Sequence, residues 1–187
     1  NYAFVAVGPR DLYTVDISQP SLPKLLNSKV QIPGDIQEMT LVSPYIYVTY
    51  HSSVTGGGLQ IVDISNPQQP LPRGNTPLNG TPSSIQVVGS YAYIAYKPAN
   101  DNDSNLPSGL HVVDVSEEST PKQIAELNLD DPNDANDKVV ANGIAVAGKY
   151  AYVTDIWGKV HINDVSTPEN PKKIGIAQLE GRLCEIK

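Results

Sequence analysis

One sequence pattern recurs four times along the 187 residues of this chain. Each copy begins with a Tyr-x-Tyr or Tyr-x-Phe run, continues through an apolar run to an Asp, and has a Pro seven residues after that Asp. The recurring residues, here called the marker Asp residues, are Asp16, Asp63, Asp114 and Asp164, so the copies are 47, 51 and 50 residues apart. A repeat of this length, built from short β-type runs, predicts a β-propeller with one four-stranded blade per repeat.

Each copy divides into four predicted strands, which we name A, B, C and D. In the third copy they cover residues 85–88, 91–96, 110–115 and 123–129. Gly89 follows strand A and can supply the positive φ of a tight hairpin turn. Because no stretch shows helical spacing over ten or more residues, we predict an all-β chain. It forms a single domain, 1–187, with repeats at approximately 1–43, 44–90, 91–149 and 150–187.

The repeat order B-C-D-A leaves the size of the propeller open. Residues 181–187 resemble a strand A that could pair with the first strand B and close a four-bladed ring, which would remove exposed sheet edges. The pattern fits equally well half of an eight-bladed ring completed by a homodimer, or part of a larger propeller. Since Asn1 directly precedes a strand and is not an initiator Met, we expect a processed chain or a fragment of a longer one.

The predicted connections vary in length on one face of the propeller alone. The A–B and C–D turns keep their length from copy to copy, whereas the B–C and D–A connections do not. The variable loops are predicted at 51–58, 97–108, 128–140 and 155–158. Repeat proteins tend to bind through the face that carries such insertions. We therefore predict a protein or glycan partner on this face, with Trp157 and His51 as candidate contact residues.

Composition and motifs narrow the function further. The net charge of -7 argues against a nucleic-acid partner, and no apolar run approaches the ~20 residues that span a bilayer. No nucleophile elbow, phosphate-binding loop or zinc-protease motif occurs. We therefore favour a non-catalytic binding or scaffold module. The alternatives are a hydrolase or lyase with Asp35, Glu38 and other acidic residues near the propeller axis, and a structural spacer in a large surface protein.

Two of the predicted loops are dense in side chains that bind hard cations. Oxygen ligands at alternating positions suit Ca²⁺, which neutralises their mutual repulsion. The candidate ligands are Asp101, Asp103, Asn105, Asp130, Asp131, Asp134 and Asp137. The alternative interpretation is a pair of solvated inserts without metal.

Other polar and glycine residues have predicted structural roles. Each marker Asp is followed two residues later by Ser, a pattern that satisfies turn amides by side-chain hydrogen bonds. His111 and His161, three residues before their marker Asp, are interpreted as strand-surface residues. The run from Gly56 to Gly58 is interpreted as a flexible turn, and His51 is placed in a B–C loop.

Several segments resemble LVIVD repeats. They are residues 59–67 and 110–116 around two marker Asp residues, and the preceding runs 88–93 and 147–152. The resemblance covers essentially the whole chain. It implies a propeller of the kind found in bacterial and archaeal secreted or cell-surface proteins, and hence an extracellular, cell-surface or periplasmic location. It brings no shared catalytic residues.

Overall fold

A computed structural model describes residues 1–98, 107–130 and 138–181 of the chain. These residues form β-strands and turns, and none of them belongs to a helix that could cross a bilayer. The strands are β1 (Tyr2–Val7), β2 (Asp11–Asp16), β3 (Lys24–Gln31), β4 (Asp35–Val42), β5 (Tyr45–Ser52), β6 (Gly56–Asp63), β7 (Leu71–Leu78), β8 (Thr81–Val88), β9 (Tyr91–Lys97), β10 (Gly109–Asp114), β11 (Lys122–Asn128), β12 (Ala141–Ala147), β13 (Tyr150–Asp155), β14 (Lys159–Asp164) and β15 (Lys172–Gln178).

The strands form four antiparallel sheets, which confirms the all-β, propeller-like prediction. We call them blade 1 (β1–β3), blade 2 (β4–β7), blade 3 (β8–β11) and blade 4 (β12–β15). In blades 2 to 4 the spatial order follows the chain, so strands A, B, C and D lie side by side. Blade 1 contains strands B, C and D, and most of the predicted closing strand, residues 182–187, lies outside the described part of the chain.

Apolar side chains join each blade to the next. In blades 2 and 3, strands B and C are central in their sheets and bury both faces, which is why they read as nearly continuous apolar runs. Separate cores connect blades 1 and 2, blades 2 and 3, and blades 3 and 4. Within the described residues no comparable core joins blade 4 to blade 1, so the array does not close on itself.

The marker Asp residues stabilise the C–D turns, as predicted. In every copy the marker carboxylate accepts the backbone N–H of the Ser two residues later, at 2.8–2.9 Å. The residue after each marker Asp donates its N–H to a carbonyl at the A–B turn, or in blade 1 to that of Asn1. The same local chemistry therefore shapes this face of every blade.

Asp63 makes the strongest set of these contacts, and we expect it to make stability pH-dependent. Hydrogen bonds from the Ser65 hydroxyl and backbone N–H, together with Arg73, lower the pKa of Asp63 to about 2. Because the pKa is lower in the folded chain, this contribution is present above about pH 4 and is lost as the pH falls towards about 2. We expect Asp63→Asn to flatten the fall in unfolding free energy over this range, measured by urea denaturation.

Asp114→Asn is the matched control for this titration. Asp114 accepts the same turn hydrogen bond from Ser116, which lowers its pKa, but Asp114 has no arginine partner comparable to Arg73 among the described residues. Asp114→Asn should therefore flatten the pH dependence less than Asp63→Asn. Parallel curves for Asp63→Asn and the unmodified chain would contradict the assignment.

The glycine run of blade 2 is part of a strand, so its interpretation as a flexible turn was wrong. Gly56 to Gly58 begin β6, and the turn itself covers residues 53–55 alone. Gly58 lies directly opposite Tyr50, and a Cβ on Gly58 would be 2.2 Å from Tyr50 Cζ. A Cβ on Gly57 would be 2.6 Å from the Gly80 carbonyl oxygen. Glycine is needed here because the tyrosine ring and a neighbouring loop pack on the bare backbone.

Candidate functional site

The B–C and D–A connections lie at the same end of the sheets, and we call this end the loop-rich face. Backbone hydrogen bonds join neighbouring connections to each other. Ile32 N–H donates to the Arg10 carbonyl at 2.8 Å, Leu129 N–H to that of Ser108 at 2.9 Å, and Ile156 N–H to that of Val140 at 3.2 Å. The described loops of this face are therefore held in place by their neighbours.

The predicted calcium ligands fall mostly outside the described residues. Asp101, Asp103, Asn105, Asp131, Asp134 and Asp137 all lie there, so the calcium site stays a prediction. Asp130 is described and largely buried. Its Oδ1 accepts the Val139 N–H at 2.9 Å, and its Oδ2 lies 3.4 Å from Lys138 Nζ. In the described ranges, no three His, Cys, Asp or Glu side chains are grouped closely enough to hold a metal.

The acidic residues considered for catalysis make structural contacts. Asp35 Oδ1 is 2.9 Å from Arg10 Nε, so it ties blade 2 to the β1–β2 turn. Glu38 Oε2 accepts the Ile85 N–H at 2.7 Å, which joins strand A of blade 2 to strand A of blade 3. Both carboxylates thus connect adjacent blades.

His51 does not lie in a loop, which corrects its predicted position. It belongs to β5 and pairs with Asp35 across the sheet, because both strands of the β5–β6 hairpin are longer than the sequence pattern indicated. The carbonyl of His51 faces Gly34, where an added Cβ would lie 2.6 Å from that oxygen. Its side chain is half-buried beside the loop-rich face.

Trp157 lies in the β13–β14 turn, on the loop-rich face where the sequence placed it. Asp155 Oδ1 accepts the backbone N–H groups of Trp157 at 2.8 Å and Lys159 at 2.9 Å. Gly158 adopts a φ of 89°, which favours glycine. Gln178 Nε2 donates to the Trp157 carbonyl at 3.2 Å, so strand β15 also holds the turn. The backbone beneath the tryptophan is therefore fixed from two sides.

A buried hydrogen bond between a carboxylate and an imidazole supports this turn from below. Asp155 Oδ2 lies 3.2 Å from His161 Nε2, and neither side chain is exposed to solvent. Burial by itself raises the pKa of Asp155, but hydrogen bonds from His161, Lys159 and Trp157 outweigh it and hold that pKa below its usual value. The carboxylate therefore remains charged and keeps its acceptor atoms directed at the turn.

The Trp157 side chain itself is 55% exposed. A large aromatic ring that is presented to solvent on a fixed turn can bury much area against a partner at little conformational cost. Sequence reasoning missed Asp155 and His161 as the supports of this ring. One signal was available, since Asp155 occupies the position held by Tyr50 and Tyr96 in the two preceding copies.

His111 and His161 lie in the interior, so their interpretation as strand-surface residues was wrong. His111 stacks on Tyr96 at 4.0 Å, donates from Nε2 to the Asn79 carbonyl and accepts from Gln123 at Nδ1. Burial lowers the pKa of His111. These positions on strand C face a neighbouring blade. The pattern within one repeat does not show that another blade covers them.

Blade 4 lacks a counterpart of Gln123, the glutamine that donates a hydrogen bond to His111 Nδ1 in blade 3. Lys173 stands at the place of Gln123, and its Nζ donates to the Leu129 carbonyl at 2.8 Å instead. Consequently His161 Nδ1 is buried with no hydrogen-bond partner among the described residues. His161 is thus held through Nε2 and Asp155.

Stacked four-stranded antiparallel sheets, with their variable loops at one end, define a propeller-like repeat protein. The chain belongs to the LVIVD repeat family, because LVIVD repeat matches cover residues 1–29, 33–75, 79–128 and 140–178. The last three matches begin just before a strand A and end in a strand D, so the family repeat coincides with a blade. The first match begins at strand B. No curated protein matches the chain.

Proposed function

We propose that this chain is a non-catalytic recognition module that binds a protein or glycan through its loop-rich face. The observation that carries the proposal is the exposed Trp157 ring on a turn fixed by buried Asp155. Interfaces concentrate their binding energy in a few aromatic anchors of this kind. The opposite face, in contrast, repeats one hydrogen-bonded turn in every blade.

One neighbouring apolar side chain extends the proposed contact surface. Leu179 is exposed directly after β15, beside the Trp157 turn, where its N–H donates to the Gly158 carbonyl. His51, on blade 2, is proposed as a separate polar contact on the same face. An aromatic anchor with an aliphatic neighbour suits the apolar face of a sugar ring or a side-chain pocket of a protein.

We expect the module to work outside the cytoplasm, as a secreted, cell-surface or periplasmic protein. This expectation rests on the LVIVD resemblance.

Calcium in the acidic loops would be compatible with such a location. Ca²⁺ there would raise the melting temperature of the chain relative to chelator, and Asp101→Asn with Asp103→Asn would remove the rise.

Two binding screens test the recognition proposal. An array of purified glycans and a phage-displayed peptide library are each probed with the 187-residue chain. The emission of Trp157, the single tryptophan, then gives the dissociation constant of each ligand obtained. Trp157→Ala, measured by calorimetry, should weaken binding by about 30-fold, the equivalent of about 2 kcal/mol for a hot-spot residue.

Glu169→Ala is the matched control, since Glu169 is exposed in a C–D turn on the opposite face of the same blade. The Glu169→Ala variant should bind each ligand from the screens with the same affinity as the unmodified chain. Ligands that respond to Glu169→Ala and ignore Trp157→Ala would overturn the assignment of the face. The absence of any ligand from both screens would favour the spacer alternative.

A further inference from the structure

Among the described residues, the two ends of the blade array leave two apolar sheet faces without a neighbouring blade. The blade 1 face consists of Ala3, Val5, Val7 and Leu25, which the strand register places on one side of blade 1. Three of these residues, Ala3, Val5 and Val7, occupy repeat positions that are buried in the other blades. Val5 is 40% exposed, whereas its counterparts Val48, Ile94 and Val153 are 0% exposed.

The blade 4 face lies at the other end of the array. It consists of Tyr152, Val160, Ile162 and Ile174 on the side that points away from blade 3. Val160 and Ile162 are half-buried, but Leu110 and Val112 at the same repeat positions of blade 3 are completely buried under blade 4. Ile174 is exposed, whereas its counterpart Ile124 packs into the core between blades 3 and 4.

The two faces match the two halves of an interface that the chain already contains. Between blades 3 and 4, Tyr93, Leu110 and Val112 pack against Ala151 and Val153. On the blade 4 face, Tyr152, Val160 and Ile162 occupy the repeat positions of the blade 3 side of this interface. On the blade 1 face, Ala3 and Val5 occupy the repeat positions of the blade 4 side. The residue types needed for another blade contact are thus present, one half at each end of the chain.

A polar contact between a C–D turn and the preceding blade also recurs, although from adjacent rather than equivalent turn positions. Gln68, in the C–D turn of blade 2, donates to the hydroxyl of Tyr2 in blade 1 at 3.3 Å. Glu118, in the C–D turn of blade 3, accepts the hydroxyl of Tyr45 in blade 2 and raises the pKa of that tyrosine. Tyr150 is the corresponding tyrosine of blade 4. The turn that would meet it is that of a blade 1, in which Ser21 takes the place of Gln68 and Pro20 that of Glu118, so Ser21 is the available hydrogen-bonding side chain.

We propose that two copies of this chain assemble head to tail, with the blade 4 face of each copy packed on the blade 1 face of the other. Propellers commonly have four to eight blades. The described blades do not close as four, two copies supply eight, and three would exceed the common range. Two unlike faces that meet twice around a twofold axis give a closed ring without free apolar ends.

Sedimentation velocity over about 1–100 μM chain tests the assembly, a range chosen because weak interfaces dissociate at micromolar concentrations. We expect a species of twice the 20.1-kDa chain mass. Val5→Glu and Val160→Glu should each give a monomer, because every contact needs one intact face of each kind. Val54→Glu places the same charge on an exposed valine outside both faces and should leave the dimer intact.

Mixing the two interface variants distinguishes a head-to-tail contact from a symmetric one. In the mixture, the unmodified blade 4 face of Val5→Glu can pack on the unmodified blade 1 face of Val160→Glu. One of the two contacts is then intact, and we expect a heterodimer. No heterodimer, a monomeric unmodified chain at every concentration, or a mass that grows beyond the dimer would each overturn the proposal. Melting temperatures within a few degrees of the unmodified chain show that the variants are folded.

Discussion

Replacement of Asp155 by Ala is expected to lower the free energy of unfolding by about 3–5 kcal/mol, because three N–H groups lose one buried charged acceptor. The substitution removes the acceptor of the Trp157 and Lys159 backbone N–H groups and the charged partner of His161. His161 is completely buried and its Nδ1 has no described partner, so the ring then loses the contact of its other nitrogen. Urea denaturation followed by circular dichroism gives the change directly.

Asp155→Asn separates the contacts to the turn from the contact to His161. Its remaining amide oxygen can still accept the two backbone N–H groups, while its NH₂ group faces the Nε2 of His161. The imidazole can then move its proton to Nδ1 and accept from the amide. We expect a loss of about 1–2 kcal/mol for Asp155→Asn, since one charged contact becomes a neutral one.

Asp164→Ala is the control on the neighbouring strand. Asp164 ends β14 at the opposite face and is half-buried, and its pKa is lowered chiefly by the hydroxyl and N–H of Ser166. Its removal should therefore cost less than that of Asp155. A loss below about 1 kcal/mol for Asp155→Ala would show that the turn is held by other contacts.

Leu59→Ala is expected to lower the free energy of unfolding by about 2–5 kcal/mol, the usual range for a buried leucine. Leu59 is completely buried in the core between blades 2 and 3, where it packs with Ile61, Ile85 and Ile94. The cavity would lie between two sheets that are joined to other blades, so neither can move far to fill it. Urea denaturation with an unchanged m-value would identify a loss of stability rather than of compactness.

Val160→Ala tests the same repeat position where no blade covers it. Val160 takes the place of Leu59 in blade 4 and is half-buried, so we expect a loss of about 1 kcal/mol or less at concentrations where the chain is monomeric. The difference between the losses for Leu59→Ala and Val160→Ala measures how much a neighbouring blade contributes to the free energy of unfolding. Equal losses at the two positions would contradict the inter-blade origin of the stability.

Local chemistry is what made the fold predictable from the sequence. The strand boundaries of the B strands and the turns after Asp16, Asp63, Asp114 and Asp164 depend on residues within a few positions of each other. Gly89 and Gly148 likewise adopt the positive φ of the A–B turn, at 59° each. Such features repeat because each copy contains everything needed to form them.

Contacts between strands could not be predicted from the repeat pattern. Gly58 reads as a turn residue until Tyr50 is placed opposite it, and His111 reads as a surface residue until blade 2 covers it. The support of Trp157 joins Asp155 to His161 across a hairpin, and the repeat positions of these two residues do not show that they touch. Predicting these contacts requires the register and the stacking of the blades.

The separate inter-blade cores also have a consequence for how the chain opens. Blades 2 and 3 each share two cores with their neighbours, whereas blades 1 and 4 of a single copy share one. In such a linear array, opening proceeds from the ends by nearest-neighbour coupling. Amide protons of β5, β6, β9 and β10 would then exchange most slowly with solvent, while those of β3 and β15 exchange through fraying of the terminal blades.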